Sequence, residues 1–169
     1  HRVDRRQRQM CIRDRIELEA GTQLLHYFAG PANATLLLSN SGGYGFLAAV
    51  ENMVSRQKGG KAFITLGEGE TVCVPSHAAG GTGSKPVVPA THVACASTGG
   101  RILTFEITEL KTMANGGRGL MLIDLEDKDQ LAGAAAYTRS IRLDGIGRGG
   151  KQRDETLEIR SLNLSLIHI

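Results

Sequence analysis

Apolar and polar residues alternate over several short segments of this chain, and pairs of glycines separate the segments. Alternation with a period of two places one face of a β-strand in a core. A Gly-Gly pair between two such runs suits a tight hairpin, because both glycines can adopt positive φ without a Cβ clash. The pattern therefore predicts an all-β fold with little helix, residues 127–137 being the only short helical turn. Two alternating sets carry the prediction: Phe46, Ala48 and Val50, and then Leu103, Phe105 and Ile107.

The alternating segments recur as an internal repeat. Residues 36–61 ("LLLSNSGGYGFLAAVENMVSRQKGGK") align without a gap with residues 93–118 ("VACASTGGRILTFEITELKTMANGGR"), at an offset of 57. Each unit predicts a strand, a Gly-Gly hairpin, a second strand, a polar connection with another Gly-Gly pair, and a further strand at residues 62–66 or 120–125. This is the outline of a four-stranded blade. Repeated units of this size predict a propeller-like array.

Partial copies of the unit flank the two complete ones. Residues 76–86 are rich in glycine and serine and are expected to form a surface loop. The predicted organisation is the end of one blade at 16–33, a complete blade at 34–75, a loop and the beginning of the next blade at 76–91, a complete blade at 92–135, and a partial blade at 136–163.

The two ends of the chain have a different origin in this interpretation. Residues 5–15 ("RRQRQMCIRDR") match a translation of the adapter and transposon end used to prepare DNA sequencing libraries. Residues 164–169 ("LSLIHI") match a translation of the reverse complement of the same transposon end. We therefore expect residues 1–15 and 164–169 to be translated adapter, and exclude them from the fold prediction. A natural basic arm that binds nucleic acid is the alternative.

Excluding the ends changes the charge. Residues 1–15 contain six arginines and two aspartates. Without them the chain has 14 basic residues instead of 20 and 15 acidic residues instead of 17, and the net charge changes from +3 to −1. Only local clusters of charge can then indicate a nucleic-acid partner. Only Cys73 and Cys95 remain. A count of two cysteines indicates reduced thiols in a cytosolic protein, and one disulfide is the alternative. The chain contains no run of about 18 apolar residues that could span a bilayer.

Candidate sites for chemistry are few. Cys73, His77, His92 and Cys95 have spacings that could hold zinc, but both cysteines lie in apolar strand segments, where a buried thiol is ordinary packing, and we expect no metal. Residues 145–150 ("GIGRGG") match G-x-G-x-x-G, yet a turn and a strand follow where a dinucleotide site needs a helix. No catalytic set can be assembled from the histidines. Four carboxylates are expected to form a solvated rim: Glu68, Glu70, Asp127 and Asp129.

Basic residues recur at one place in each repeat, around the connecting Gly-Gly pairs. If the blades surround an axis, equivalent turns lie along one rim and form a basic track. Such a track would contact phosphates without reading bases, and its binding would weaken steeply with salt. Ordinary solvated turns are the alternative. The candidate DNA-binding residues are Arg56, Lys58, Lys61, Arg101, Lys111, Arg118, Arg148, Lys151 and Arg153.

Residues 36–66 and 92–125 resemble consecutive blades of the C-terminal domain in the A subunit of DNA topoisomerase IV, a bacterial type IIA topoisomerase. The resemblance covers residues 16–163 and implies a β-pinwheel, a propeller variant whose rim binds and bends duplex DNA. It also implies a cytoplasmic, nucleoid-associated isomerase, in which two A subunits assemble with the B subunit of topoisomerase IV. That holoenzyme would use ATP and Mg²⁺ for strand passage in decatenation and relaxation. The cleaving tyrosine would lie outside this chain, and no cofactor is expected within it.

The related domain in the A subunit of gyrase wraps DNA with a box of the form Q-R/K-R-G-G-R/K-G. Residues 56–62 ("RQKGGKA") have one residue too few between Gln57 and the glycine pair, and Ala62 replaces the last glycine. The second connection keeps only the core of the box, "NGGRG". The resemblance therefore favours topoisomerase IV. A gyrase domain with its box upstream is one alternative, and a propeller that serves only as a protein-interaction scaffold is another.

Overall fold

The computed structural model describes residues 21–79, 88–146, 150–158 and 167–168. Within these residues the predicted all-β fold is confirmed, and helix is confined to a single turn α1 at Val50–Met53 and a 3₁₀ turn at Ile107–Glu109. None of the described helices is long and apolar enough to cross a membrane. The strands are β1 Thr35–Ser39, β2 Tyr44–Ala49, β3 Ser76–Ala79, β4 His92–Ser97, β5 Arg101–Glu106, β6 Leu120–Met121, β7 Leu131–Tyr137, β8 Ser140–Ile146, β9 Gln152–Glu158 and β10 Ile167–His168.

The strands form two four-stranded blades and one hairpin. The first blade has the order β3-β1-β2-β6, and the second has the order β10-β5-β4-β7. Each blade is built on a hairpin whose turn contains the predicted glycine pair, and Gly43 and Gly100 have φ of +85° and +83°. A residue with a Cβ rarely adopts such a backbone angle, so the glycines permit the turns. Strands β8 and β9 pair from Ser140↔Glu158 to Ile146↔Gln152, and form the predicted hairpin of the third unit.

The outer strand of each blade comes from a later part of the chain. In the first blade β6 pairs with β2 at Tyr44↔Met121 and Gly45↔Leu120. In the second blade β10 pairs with β5 at the positions 57 residues further on, Arg101↔His168 and Ile102↔Ile167. Strand β10 lies in the segment interpreted as translated adapter, and that interpretation stays a prediction, as do the predicted blade boundaries. Pairing of this kind ties each blade to the chain that follows it.

The structure differs from the sequence prediction at three segments. Ser76–Ala79, predicted as part of a loop, is strand β3, because it pairs with the edge of β1 and buries Ala78; residues 80–87 lie outside the described residues. Leu131–Tyr137, predicted as a helical turn, is strand β7, because backbone pairing with β4 overrides the helix propensity of its alanines. Among described residues 62–66 there is only an isolated bridge at Ile64, and the strand predicted at 120–125 shortens to β6.

Successive blades pack face to face. Because side chains alternate across a strand, each blade presents one set of residues to each neighbour. Leu37 and Leu47 of the first blade share a core with Val93 and Cys95 of the second. Ala94, on the opposite face of the second blade, packs with Ile141 of the third unit. The repeat therefore stacks as the sequence predicts, with one apolar layer between each pair of units.

The remaining face of the first blade carries a third apolar cluster. Leu38 and Phe46 are buried there, with Phe63 and Met113 packed against them. Phe63 precedes the second blade in the chain and Met113 lies in the connection that follows β5. Connections from both repeats therefore cover the same side of the first blade.

Candidate nucleic-acid interface

The first connection is a small closed turn. Ser55 Oγ accepts a hydrogen bond from the Gln57 amide (3.1 Å) and donates one to the Gly60 carbonyl (3.2 Å). The Gly60 amide donates to the Gln57 carbonyl (3.1 Å), with φ of +80° at Gly60. Arg56 and Lys58 are exposed on this turn. The turn is thus held by the Ser55 hydroxyl and by its own backbone, and its two cationic side chains are exposed.

Lys61 closes the connection and is positioned more firmly. Its Nζ donates to the Asn52 carbonyl (3.3 Å) and lies 5.2 Å from the centre of the Phe63 ring. A cation above a ring face is attracted by the ring quadrupole. No aspartate or glutamate occurs between Glu51 and Glu68. The connection is therefore a local patch of positive charge in a chain that is nearly neutral without its ends.

The second connection docks on the first blade, beside this patch. The Gly117 amide donates to the Phe63 carbonyl (2.9 Å), and the Thr65 amide donates to the Gly117 carbonyl (2.9 Å). Further back, the Leu47 amide donates to the carbonyl of Lys111 (3.0 Å), whose side chain is exposed. The structure thus brings connections of both repeats to one side of the first blade.

Two of the predicted DNA-binding arginines are engaged with carboxylates. Arg118 Nη2 lies 2.6 Å from Glu70 Oε1. Arg101 Nη1 lies 2.8 Å from Glu126 Oε1, its Nη2 donates to the Asp124 carbonyl, and its side chain is only 13% exposed. Because these two charges are compensated within the protein, they offer less to a polyanion than an exposed cation does.

The third turn is described only in part. Lys151 is exposed immediately before β9. Arg153 lies in β9 opposite Gly145, and its side chain is outside the description. Arg148 lies outside the described residues. A role for these three residues in binding DNA stays a prediction.

Comparison with known proteins identifies the family. Residues 91–137 match the family model of the DNA gyrase C-terminal domain, a β-propeller. The chain is 34% identical over 145 residues to the A subunit of DNA topoisomerase 4 from Neisseria gonorrhoeae, a match that covers 85% of the chain and 18% of that protein. The chain belongs to the family of C-terminal domains found in gyrase and topoisomerase IV A subunits. The corresponding A subunit of DNA topoisomerase 4 from Haemophilus influenzae is 28% identical over 109 residues, 64% of the chain and 13% of that relative.

Solved structures of this domain family share the fold. The Escherichia coli ParC C-terminal domain superposes with a TM-score of 0.71 at 23% identity, covering 89% of this chain and 59% of that one. A DNA gyrase A C-terminal domain gives a TM-score of 0.64 at 17% identity, covering 88% of this chain and 47% of that one. The stacked four-stranded blades are therefore the architecture of this C-terminal domain family.

Cys73, His77, His92 and Cys95 were weighed from the sequence as a possible zinc set. In the described part of the chain, no group of three or more His, Cys, Asp or Glu side chains could hold a metal ion. Burial raises the pKa of Cys73, and burial raises the pKa of Cys95 to about 12. His77 stacks on Phe28 with ring centres 6.2 Å apart, while His92 Nδ1 lies 2.9 Å from a threonine hydroxyl. The two thiols stay protonated and act as packing groups between blades of this domain.

Two carboxylates predicted as solvated rim instead hold the turns of the domain. Glu70 accepts hydrogen bonds from Asn40 Nδ2 (3.0 Å) and the Gly67 amide (2.6 Å), and an added Cβ at Gly42 would collide with it. Asp129 accepts from Thr98 Oγ1 (2.7 Å). For Glu70, whose side chain is 13% exposed, the prediction was wrong, because the carboxylate reaches a hairpin residue 30 positions away in sequence. The sequence signal that could have shown this contact is the glycine of the hairpin turn, which leaves room for the carboxylate side chain. Asp129 also bonds to a distant hairpin turn but stays at the surface.

Asp129 makes the stability of the domain depend on pH. Burial would raise its pKa, but hydrogen bonds from Ser97, Thr98 and Gly99 outweigh burial and lower the pKa from 3.8 to about 2. A lowered folded-state pKa means that the ionised group stabilises the fold above pH 3.8, and that this contribution is lost as the pH falls through about 2.

Replacing Asp129 with asparagine should therefore lower the unfolding midpoint by about 3 °C near pH 5 and by less as the pH approaches 2, since solvent screening keeps the effect small. Thermal unfolding followed by circular dichroism across this pH range checks the prediction. Asp127→Asn, which removes an exposed carboxylate two residues away, is the matched control. An Asp129→Asn effect that stays constant with pH would contradict the assignment.

Proposed function

We propose that this chain binds duplex DNA through its phosphate backbone, using the exposed basic side chains of the connections between strands. The observation that carries the proposal is the closed turn at residues 55–60, which presents Arg56 and Lys58 to solvent with no acidic residue between Glu51 and Glu68. Lys61 extends the same patch above Phe63. Cations displayed on a rigid turn can bind phosphates with little loss of backbone entropy.

The docking of the second connection supports an extended contact rather than a single point. Lys111 is exposed where its carbonyl bonds to Leu47, two residues before Met113, which packs in the same apolar cluster as Phe63, the ring that Lys61 contacts. Basic groups from two repeats would then follow the DNA backbone together. Such contacts fix the path of a duplex without reading its sequence, which suits a domain that binds and bends DNA.

For the parent protein we propose the A subunit of an ATP-hydrolysing type II topoisomerase. The two relatives named as A subunits of DNA topoisomerase 4 support this role, although the chain spans less than a fifth of their length. The domain would position DNA for strand passage catalysed elsewhere, in a cytoplasmic, nucleoid-associated assembly of two A subunits with the B subunit. ATP and Mg²⁺ would serve the holoenzyme, and we assign no catalytic residue or cofactor to this chain.

A gyrase-type wrapping domain is the second candidate, because the matching family model is named for gyrase. Wrapping would constrain supercoils in relaxed plasmid, whereas bending by a topoisomerase IV domain would not. The incomplete box at residues 56–62 favours bending without wrapping. A two-dimensional gel of plasmid relaxed in the presence of the chain separates the two functions.

Fluorescence anisotropy with a duplex of about 30 base pairs tests the proposal. Because the six arginines of residues 1–15 would themselves bind DNA, the test uses a variant of the 169-residue chain in which all six are replaced with glutamine. In this background, called the Gln-arm variant, the logarithm of the affinity should fall with the logarithm of salt concentration at a slope of about −3. Loss of all binding in the Gln-arm variant would refute the proposal and would favour a protein-interaction scaffold.

A further inference from the structure

The side chain of Arg118 lies between Glu70 and Tyr44 of the first blade. Its Nη2 lies 2.6 Å from Glu70 Oε1, and its guanidinium carbon lies 4.2 Å from the centre of the Tyr44 ring. The side chain of Glu70 is 13% exposed, while that of Arg118 is 45% exposed. The guanidinium therefore contacts an oriented carboxylate on one side and a ring face on the other.

The partners of Arg118 are themselves held in place. Glu70 Oε2 accepts from Asn40 Nδ2 (3.0 Å), and Asn40 Oδ1 accepts from the Tyr44 amide (3.1 Å). Asn40 is fully buried in the hairpin turn between β1 and β2. Arg118, Glu70, Asn40 and Tyr44 thus close a ring of contacts. The hairpin turn therefore orients the carboxylate and the tyrosine ring between which the guanidinium binds.

The second blade has a guanidinium at the corresponding corner. Arg101 stands 57 residues after Tyr44, and it pairs with Glu126 at 2.8 Å. The turn beside it repeats the first one, since Ser97 Oγ accepts from the Arg101 amide as Asn40 Oδ1 accepts from the Tyr44 amide. Each blade therefore places an arginine against a carboxylate beside its hairpin turn, although the arginine comes from a different part of the chain in each.

We propose that Arg118 is a positioning residue, a latch that fixes the second connection on the first blade, and that it makes no direct contact with DNA phosphate. The residues on either side of it are anchored to the same blade. The Gly117 amide bonds to the Phe63 carbonyl, and Leu120 pairs with Gly45. The latch holds this strip of connection in register and so fixes the position of Lys111 relative to Lys61.

The experiment has a stability arm that does not depend on DNA. Arg118→Gln should lower the thermal unfolding midpoint of the Gln-arm variant by about 4 °C, through loss of the ion pair and the ring contact. Arg118→Lys, which keeps a cation between Glu70 and Tyr44, should recover more than half of this loss. Tyr44→Phe keeps the ring and should leave the midpoint unchanged, whereas Tyr44→Leu should lower it. Glu70→Gln combined with Arg118→Gln should cost less than the sum of the two single changes.

The second arm measures the salt dependence of DNA affinity, and it rests on the proposed function. Arg118→Gln should leave the slope unchanged, while Arg56→Gln should make it shallower by about 0.9, the value expected for a single phosphate. A shallower slope for Arg118→Gln with an unchanged unfolding midpoint would overturn the latch. Absence of DNA binding by every variant would refute the proposed function, and the coupling between Arg118 and Glu70 in thermal unfolding would still decide the latch.

Discussion

Replacing Arg56 and Lys58 together with glutamate should lower the affinity of the Gln-arm variant for duplex DNA by about 30-fold. Removing each phosphate-binding cation from the exposed turn is expected to cost on the order of 1 kcal/mol, and the new carboxylates repel the DNA backbone. Lys61 is left in place because its ammonium group lies above the Phe63 ring, so that its replacement would remove a packing contact as well as a charge. The affinity is measured by anisotropy titration at low salt, where electrostatic interactions contribute most.

A charge-matched control separates a local patch from a general charge effect. Lys128→Glu with Arg139→Glu changes the net charge by the same amount, and neither residue lies in the two connections that contain the Gly59-Gly60 and Gly116-Gly117 pairs. This control should lose less than about 3-fold in affinity, since its charges lie outside the proposed phosphate track. Equal losses in the two double variants would show that the domain binds DNA only through its overall charge. The turn at residues 55–60 would then have no special role.

Replacing Gly119 with alanine should destabilise the chain by about 3 kcal/mol or more, which corresponds to a fall of about 6 to 12 °C in the unfolding midpoint. Gly119 has φ of +87°, and an added Cβ would collide with the backbone carbonyl of Gly45 and come within 2.9 Å of Phe46 Cδ1. Backbone cannot rotate aside as a flexible side chain can. Strand β6 must therefore move away from β2, and the contacts of Arg118 with Glu70 and Tyr44 are lost as a result.

Gly60→Ala is the matched control for this prediction. Gly60 also has a positive φ, +80°, but an added Cβ there meets nothing within 4 Å. Only the conformational cost of about 1 kcal/mol should appear. Hydrogen exchange gives a local measure, because the Leu122 amide bonds to the Gly43 carbonyl at 2.7 Å beside β6 and should lose protection in Gly119→Ala alone. Equal destabilisation by the two substitutions would contradict tight docking of β6.

The hairpins were predictable because their signals are local. The glycine pairs at the turns and the alternating residues of β2 and β5 lie within a few positions of each other, and backbone sterics act over that range. The offset of 57 then extended the prediction from one hairpin to a stack of blades. The basic turn at residues 55–60 was visible for the same reason, since its charges are neighbours in sequence.

The segments that were predicted wrongly depend on distant partners. Strand β7 reads as helix by composition, and becomes a strand only because β4 offers an unpaired edge. Ser76–Ala79 likewise becomes β3 on the edge of β1. Glu70 looks like a surface carboxylate until the turn of the first hairpin is folded against it. In each case the deciding hydrogen bonds join residues tens of positions apart, and composition carries no record of them.

Sequence alone therefore determined that this chain is a repeat of β-hairpins with positive charge collected at its connections. The tertiary structure decided which of those charges lie on an exposed turn and which pair with carboxylates. Arg56 and Lys58 lie exposed on a turn closed by the Ser55 hydroxyl and by a backbone hydrogen bond, while Arg101 and Arg118 pair with carboxylates. The physical reason is that a charge is defined by its residue, whereas its neutralisation depends on long-range packing that brings an opposite charge within a few ångströms.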